Sequence, residues 1–277
     1  MSRSPDEPIV SLLRRYDLSP IAAGALRVLL GLLTEPEAPT SVHDPGRGLD
    51  VHIADSLAGL EIAELRAGGL IADLGSGAGM PGLVLAAVLP NANFVLVEAA
   101  ARRCDFLRSA VAAMGLGNAD VLRTRAEEWH DGIGHCDVVC ARALAALPVL
   151  CEYAAPLLRE GGVLVAWKGE VSGSEADDTD AAAEHLGLMP EQIRSVTPFP
   201  GSARRTLHVL RKVGPTPAKY PRRPGVATKR PLSAKTVGRE RANKAQNALQ
   251  TPNPPHPSIA SPSPWASCTP SPTRRAG

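Results

Sequence analysis

The sequence DLGSGAGMPG at residues 73–82 decides the fold. It follows the apolar run GGLIA at residues 68–72, and it contains four glycines, one proline and a leading aspartate, Asp73. Glycine gives up more backbone freedom on folding than any other residue, so this density is unfavourable inside a helix or a strand. The stretch therefore predicts a tight turn between a buried strand and a helix, where the backbone closely approaches a ligand.

Apolar runs typical of strands covered on both faces alternate with helical patterns from residue 68 onward. The runs are GGLIADL, NFVLVE, ADVLR, CDVVCARA, VLVAWKG, IRSVTPFP and RTLHVLRKV. The connection between the last two is too short for a parallel crossover, so they predict an antiparallel hairpin. The pattern indicates an α/β fold, with a mostly parallel seven-stranded sheet, helices on both faces and an antiparallel final hairpin.

Three regions differ in composition. Region 1–66 has helical apolar spacing, and region 67–213 carries the predicted sheet. Region 214–277 contains 11 Lys and Arg, one acidic residue and 13 of the 26 prolines, although the net charge of the chain is only +2. We expect this basic, proline-rich tail to be unable to fold alone, to be largely disordered from about residue 238, and to meet a polyanionic partner.

Several classes of protein are disfavoured. There is no run of 18 apolar residues, and the N-terminus lacks the apolar core and cleavage site of a signal peptide. The five cysteines are an odd number without a C-x-x-C pair, which is typical of free thiols in a reducing compartment. Cys136 and Cys140 flank a predicted strand and are poorly placed to share a metal. We expect a cytoplasmic protein without a membrane segment or a metal site.

Two ligand classes fit the glycine-rich stretch, which lies where parallel sheets bind ligands, at the carboxyl ends of the strands. Gly77, Gly79 and Gly82 satisfy the G-x-G-x-x-G pattern of dinucleotide sites. Glu98 ends the second predicted strand, where a ribose-binding acid is expected in such sites. A glycine-rich turn without a ligand is the third interpretation.

The same stretch also matches the acid-x-G-x-G-x-G arrangement of S-adenosylmethionine sites, through Asp73, Gly75, Gly77 and Gly79. A carboxylate beside a pyrophosphate would repel it, whereas the cationic amino end of S-adenosylmethionine would be attracted. Asp73 therefore favours S-adenosylmethionine, and Glu98 would bind the ribose hydroxyls in either case.

Several motifs in order resemble one family. They are HIADSL at residues 52–57, DLGSGAGMPG, VEAAARRCDFL, RTRAEEW, CDVVCARAL, WKGE, and KYPRRPGVATKRPL at residues 219–232. Together, over roughly residues 50–232, they resemble the RsmG (GidB) family of bacterial methyltransferases, which methylate N7 of a guanine in 16S ribosomal RNA. The resemblance implies a class I, Rossmann-like methyltransferase fold with S-adenosylmethionine as cofactor.

The resemblance also implies the roles of individual residues. Backbone around Gly75 and Met80 would meet the methionine moiety, and the region of Ala126 would meet the adenine. Arg142 would lie at both the cofactor and the target base, and it is the candidate catalytic residue, as a hydrogen-bond donor to guanine O6. The full implied cofactor set is Asp73, Gly75, Gly77, Gly79, Met80, Glu98, Ala126, Glu127 and Arg142.

Binding of RNA by a net-negative body requires local basic clusters. The candidates are Arg102, Arg103, Lys168, Arg204, Arg205, Arg222 and Arg223. His52 and Asp55 are spaced i, i+3 on a predicted helix, so they either orient each other or contact substrate.

Two alternatives to an rRNA guanine-N7 methyltransferase stay open at this point. One is an NAD-dependent oxidoreductase that uses the G-x-G-x-x-G glycines, and the other is a ribosome-assembly factor that binds RNA without catalysis. In the leading interpretation the partner is 16S rRNA or the small ribosomal subunit, there is no membrane partner, and the protein is a monomer.

Overall fold

The computed structural model describes residues 7–250. The chain divides into two units, Met1–Arg239 and Glu240–Gly277, and the first contains the whole sheet. Within the described part of the chain, no helix has both the length and the apolarity needed to cross a bilayer.

A seven-stranded sheet forms the centre of the first unit. Its strands are β1 Gly69–Leu74, β2 Ala92–Glu98, β3 Ala119–Arg123, β4 Cys136–Arg142, β5 Leu158–Lys168, β6 Leu188–Val196 and β7 Arg205–Lys212. Their order is β3-β2-β1-β4-β5-β7-β6. Strands β1 to β5 pair in parallel, whereas β7 is antiparallel to both β5 and β6. The predicted mostly parallel sheet with an antiparallel final hairpin is confirmed.

Helices connect the strands and precede them. They are α1 Glu7–Arg15, α2 Ala23–Thr34, α3 Pro45–Gly48, α4 Asp55–Leu57, α5 Ala63–Ala67, α6 Gly82–Val88, α7 Ala101–Met114, α8 Leu147–Ala154, α9 Gly173–Leu186, α10 Val226–Lys229 and α11 Ala234–Gln250. The direction in which successive strands join the sheet reverses between β1 and β4. The chain first runs from β1 outward to β3, and β4 then pairs with the other side of β1. This reversal places a ligand crevice at the carboxyl ends of β1 and β4.

The sheet is covered on both faces, which explains the continuous apolar runs of its strands. Val138 and Cys140 of β4 face one cluster, which also contains apolar residues of α1, α2, α6 and α7. Val139 and Ala141 face the other cluster, built with α8 and α9. Alternation along each strand therefore divides an unbroken apolar run between two cores.

Residues 51–66, within the region of helical apolar spacing, form several short helical turns and no single regular helix. Leu49–Ala54 is a π-helical segment, and α4, a 3-10 turn at Ala58–Glu61 and α5 follow it. These turns pack closely on the sheet, since a Cβ atom at Gly59 would lie 2.3 Å from the Trp167 side chain of β5. The Trp167 indole N–H also donates a hydrogen bond of 2.9 Å to the carbonyl oxygen of Asp55.

The first part of the basic tail packs onto the first unit. Tyr220, Ala227, Leu232 and Val237 are buried in the cluster beneath α8 and α9. This segment thus adds apolar residues to an existing core, and the expectation that it cannot fold alone stays a prediction. Helix α11 continues to Gln250, so the structure shows helix where the sequence predicted disorder from about residue 238. The prediction for residues 251–277 lies outside the described residues.

Candidate active site

The glycine-rich loop joins β1 to α6 as predicted. Gly75, Gly77 and Gly79 have φ values of 67°, 58° and 97°, in the left-handed region that side chains disfavour. Gly82 is required for a different reason, since a Cβ atom there would lie 2.6 Å from Oδ2 of Asp73. The loop is therefore wound tightly against the end of β1.

Asp73 supports this loop from beneath. Its side chain is fully buried, and its Oδ2 accepts a hydrogen bond of 3.0 Å from the backbone N–H of Gly82. Asp73 does not line the cavity of about 300 Å³ that adjoins the glycine-rich loop. The expectation that Asp73 attracts the amino end of a ligand stays a prediction, and the contact that the structure does show is the hydrogen bond by which its carboxylate holds the loop.

Burial raises the pKa of Asp73 to about 6, against hydrogen bonds from Gly82 and Ser76 that lower it. Oδ1 of Asp73 has no hydrogen-bond partner among the described residues. An ionised, half-satisfied carboxylate in the core is unfavourable, and such groups persist mainly where function requires them.

Glu98, at the end of β2, borders the first cavity, which has a volume of about 300 Å³. Its Oε2 accepts a hydrogen bond of 3.1 Å from the N–H of Gly77, and its Oε1 accepts one of 2.8 Å from the N–H of Ala100. These bonds fix the carboxylate against the glycine-rich loop. The cavity is lined by Gly75, Val97, Glu98, Ala99, Arg103, Thr124, Arg125, Ala126, Glu127, Ala143, Leu144 and Tyr153.

The structure brings together part of the predicted cofactor set. Gly75, Glu98, Ala126 and Glu127 all line this first cavity. Gly77, Gly79 and Met80 belong to the loop beside it without lining it. Glu127 is buried, and its Oε1 accepts a hydrogen bond of 3.0 Å from the N–H of Gly225 in the tail.

Arg142, at the end of β4, lies in a second cavity of about 350 Å³. Its Nη1 donates hydrogen bonds of 2.8 Å to Oδ2 of Asp55 and 2.8 Å to the carbonyl oxygen of Val51. Nε of Arg205 lies 3.6 Å from the other oxygen of Asp55. The cavity is lined by Val51, His52, Asp55, Arg142, Ala143, Ala145, Trp167, Lys168, Gly169, Val196, Arg205 and Thr206.

His52 and Asp55 do not form the pair that their spacing suggested as one possibility. Asp55 forms ion pairs with Arg142 and Arg205, and Nε2 of His52 lies 3.1 Å from Oγ1 of Thr40. Burial, followed by the nearby positive charge of Arg142, lowers the pKa of His52 to about 4. The imidazole is therefore neutral at pH 7, and both residues line the second cavity.

Ala143 joins the two cavities, because it lines both of them. It follows directly on Arg142 and has a φ of 53°, which is uncommon for a residue other than glycine. The carboxyl end of β4 thus lies between a cavity lined by two acidic and two basic residues and a cavity lined by Asp55 and three basic residues. Two ligands bound on either side of this point would meet at it.

The predicted basic residues fall into three environments. Lys168 and Arg205 line the second cavity, and Arg103 lines the first, where its Nη1 lies 3.7 Å from Oε2 of Glu98. Lys168 also forms an ion pair of 2.9 Å with Glu175.

The remaining basic candidates lie away from the cavities. Arg102, Arg204 and Arg223 are exposed, and Arg204 forms an ion pair of 2.6 Å with Glu170. Arg222 differs from its neighbour Arg223, because it pairs with the fully buried carboxylate of Glu152.

Comparison with known proteins identifies the family to which the chain belongs. A family profile described as GidB, rRNA small subunit methyltransferase G, matches residues 36–204. The chain belongs to the GidB family. A GidB-family relative from Rubrobacter xylanophilus, "Ribosomal RNA small subunit methyltransferase G", is 40% identical over 229 residues, covering 80% of this chain and 84% of that protein. The protein of the same name from Deinococcus radiodurans is 44% identical over 185 residues, covering 65% of this chain and 73% of that protein.

The resemblance identified from the motifs is thus confirmed at the level of the family. Solved structures are more distant: the Methanococcus jannaschii fibrillarin pre-rRNA processing protein has a TM-score of 0.46 and 17% identity, covering 55% of this chain and 70% of that chain.

Sequence reasoning did not assign a role to three residues that line the two cavities. Trp167 packs on the broken helical segment and binds the backbone of Asp55, and Tyr153 and Leu144 line the first cavity. The signal for Trp167 was its place in the motif WKGE, at the end of a predicted strand. Leu144 ends the motif CDVVCARAL, whereas Tyr153 lies in a stretch that no motif singled out.

Proposed function

We propose that the protein transfers the methyl group of S-adenosylmethionine to N7 of a guanine in 16S ribosomal RNA. One observation carries the proposal: two cavities adjoin at Ala143, one bordered by Glu98 and the glycine-rich loop, the other by Arg142. Membership of the GidB family supports the same activity over the oxidoreductase and the non-catalytic alternatives, and its curated relatives carry the methyltransferase name.

The residues of the first cavity fit S-adenosylmethionine. Glu98 presents a carboxylate at the end of β2, where it suits a ribose diol, and Ala126 and Leu144 supply apolar surface for an adenine. Gly75 lines the cavity, and Leu144 packs where a side chain at residue 75 would stand, since a Cβ atom there would lie 2.6 Å from the Leu144 side chain. When bound, S-adenosylmethionine supplies an electrophilic methyl group on a sulfonium.

The second cavity suits the acceptor base. Guanine N7 carries an unprotonated lone pair, so its methylation requires no general base, and the rate depends on positioning and on exclusion of water. Arg142 is held by Asp55 and Val51 through Nη1, which leaves other guanidinium N–H groups to meet guanine O6. A donor at O6 would hold the base and stay protonated throughout the reaction.

The RNA backbone would follow the basic residues around the second cavity. Lys168 and Arg205 line it, and the exposed Arg204 precedes Arg205 in the sequence. Arg102 and Arg223 are exposed elsewhere on the surface and would extend the contact. In this proposal the protein acts as a monomer, in the cytoplasm, on 16S rRNA within or before the small subunit.

Methyl transfer from labelled S-adenosylmethionine to small-subunit particles that lack the modification tests the proposal. We expect labelled 7-methylguanosine, identified by mass spectrometry of the digested RNA. Arg142→Ala should lower kcat by about 10²–10³-fold, the usual effect of removing one hydrogen-bond donor from a preorganised site.

Arg108→Ala is the matched control, since Arg108 is exposed and pairs only locally with Asp105. It should retain wild-type turnover. Wild-type turnover by Arg142→Ala at saturating RNA would contradict the role of Arg142. Absence of 7-methylguanosine with the wild-type protein would contradict the proposed reaction itself.

A further inference from the structure

The tail segment at residues 219–232, here called the strap, contacts the walls of the first cavity. The N–H of Gly225 donates to Oε1 of Glu127, and Oγ1 of Thr228 lies 3.1 Å from the hydroxyl of Tyr153. Glu127 and Tyr153 both line the cavity, whereas the strap residues do not. The strap therefore does not enter the first cavity, but it contacts two residues of the cavity wall, Glu127 and Tyr153.

Arg222 fixes the strap in this position. Its Nε donates a hydrogen bond of 2.8 Å to Oε1 of Glu152, its Nη2 contacts Oε2 of the same carboxylate, and its backbone N–H donates to Oε1 at 3.2 Å. Nη2 also donates to the carbonyl oxygen of Arg230 at 2.9 Å, which closes the strap on itself. Glu152 precedes Tyr153 in α8, so the pair anchors the strap directly beside the cavity wall.

A contact between Arg222 and RNA phosphate conflicts with this arrangement. Glu152 is completely buried, and an unpaired carboxylate in that position is strongly unfavourable. A guanidinium that turned outward to a phosphate would leave this carboxylate without its partner. Arg223 has the same chemistry but is exposed, so it can meet a phosphate without such a loss.

We infer that Arg222 is a positioning residue for the cofactor: paired with Glu152, it holds the strap so that Gly225 and Thr228 fix Glu127 and Tyr153 in the cavity wall. The inference rests on the proposed function in one respect, the identity of the cofactor. It assigns a function to the strap other than RNA binding. Loss of Arg222 should weaken cofactor binding even in the absence of RNA.

The experiment compares Arg222→Met with Arg223→Met, two adjacent changes that each remove one charge. The probe is S-adenosylhomocysteine, and its Kd is measured by titration calorimetry without RNA. We expect Arg222→Met to raise this Kd at least tenfold, Arg222→Lys to restore part of the affinity, and Arg223→Met to leave it within twofold of wild type.

The salt dependence of binding to 16S rRNA should distinguish the two arginines in the reverse way, with the change now expected in Arg223→Met and not in Arg222→Met. Each lost phosphate contact lowers the slope of log K against log salt by about 0.7 to 0.9. Arg223→Met should show this decrease, and Arg222→Met should keep the wild-type slope. A decrease with Arg222→Met, together with an unchanged Kd for S-adenosylhomocysteine, would identify Arg222 as an RNA contact and overturn the inference.

Thr228→Val keeps the experiment decisive if Arg222→Met fails to fold. It removes the strap's partner for the Tyr153 hydroxyl and leaves the contact of Tyr153 with Glu127, so it exposes no buried charge and should raise the Kd about threefold to fivefold. A lowered melting temperature with an unchanged Kd, in either variant that folds, would show a purely structural role and overturn the inference. Failure of the wild-type protein to bind S-adenosylhomocysteine would instead contradict the proposed function.

Discussion

Replacement of Asp73 by Asn should stabilise the protein at neutral pH. The Asp73 carboxylate is fully buried beneath the glycine-rich loop, and its Oδ1 has no partner among the described residues. Asn has nearly the same shape and can still accept the hydrogen bond from Gly82. The substitution therefore removes mainly the buried charge.

The pKa of Asp73 gives the size of the effect. Burial and the negative charge of Glu98 raise it from 3.8 to about 6, against the effects of Gly82, Ser76 and Arg142. Because the folded protein holds this proton more tightly than the unfolded chain, ionisation destabilises the fold as pH rises from about 4 to about 6. A shift of about two pKa units corresponds to about 3 kcal/mol of the free energy of unfolding.

The assay is urea unfolding of wild type and Asp73→Asn at a series of pH values from 4 to 8. The difference in unfolding free energy, variant minus wild type, should rise by about 3 kcal/mol between pH 4 and pH 7.5. Cofactor affinity should fall in the same variant, since the charged acceptor that orients the loop is lost. A difference that stays constant across the series would refute the assignment of a buried, ionising carboxylate.

Three further changes test other parts of the structure. Asp55→Asn removes the anionic partner of the Arg142 and Arg205 guanidinium groups. It should therefore lower the unfolding free energy by about 3 kcal/mol in urea titrations and reduce methyl transfer. Wild-type stability of this variant would contradict the ion pairs. Leu232→Ala should cost about 2–4 kcal/mol in the same titrations, because the side chain is buried in the core; a loss below 1 kcal/mol would show that the strap is not packed there. Joint replacement of the exposed Arg223, Lys229 and Arg230 by Ala should lower the slope of log K against log salt for RNA binding by about 2, with little change in melting temperature. An unchanged slope would exclude this face of the tail from the RNA contact.

The sheet and the loop could be predicted because their signals are local. Each strand is a short apolar run, and the glycines of the loop are adjacent in sequence to the strand that they follow. The positions of Glu98 and Arg142 at strand ends follow from the same runs, since parallel strands end at a common edge. A prediction built from neighbouring residues succeeds for these elements.

The partners of the site residues could not be predicted, because they are distant in sequence. Asp55 and Arg142 are 87 positions apart, and Glu152 and Arg222 are 70 positions apart. Arg222 and Arg223 are adjacent residues of the same type, so the sequence alone does not distinguish them. Their roles differ because the buried carboxylate of Glu152 lies beside Arg222. The i, i+3 spacing of His52 and Asp55 suggested a local pair, but the packed Trp167 and the strand-end arginine engage Asp55 instead.

The two cavities depend on residues from outside the central α/β region. The second cavity is closed by the broken helical segment, which brings Asp55 to Arg142, and the first is supported by the strap through Glu127 and Tyr153. The boundaries predicted at residues 66 and 213 follow composition, yet both flanking regions contribute to the site. A truncation at residue 213 would therefore remove part of the core and the support of the cofactor cavity along with the basic charges. Point changes on the exposed face of the strap are the cleaner test of RNA binding, since they leave the buried contacts in place.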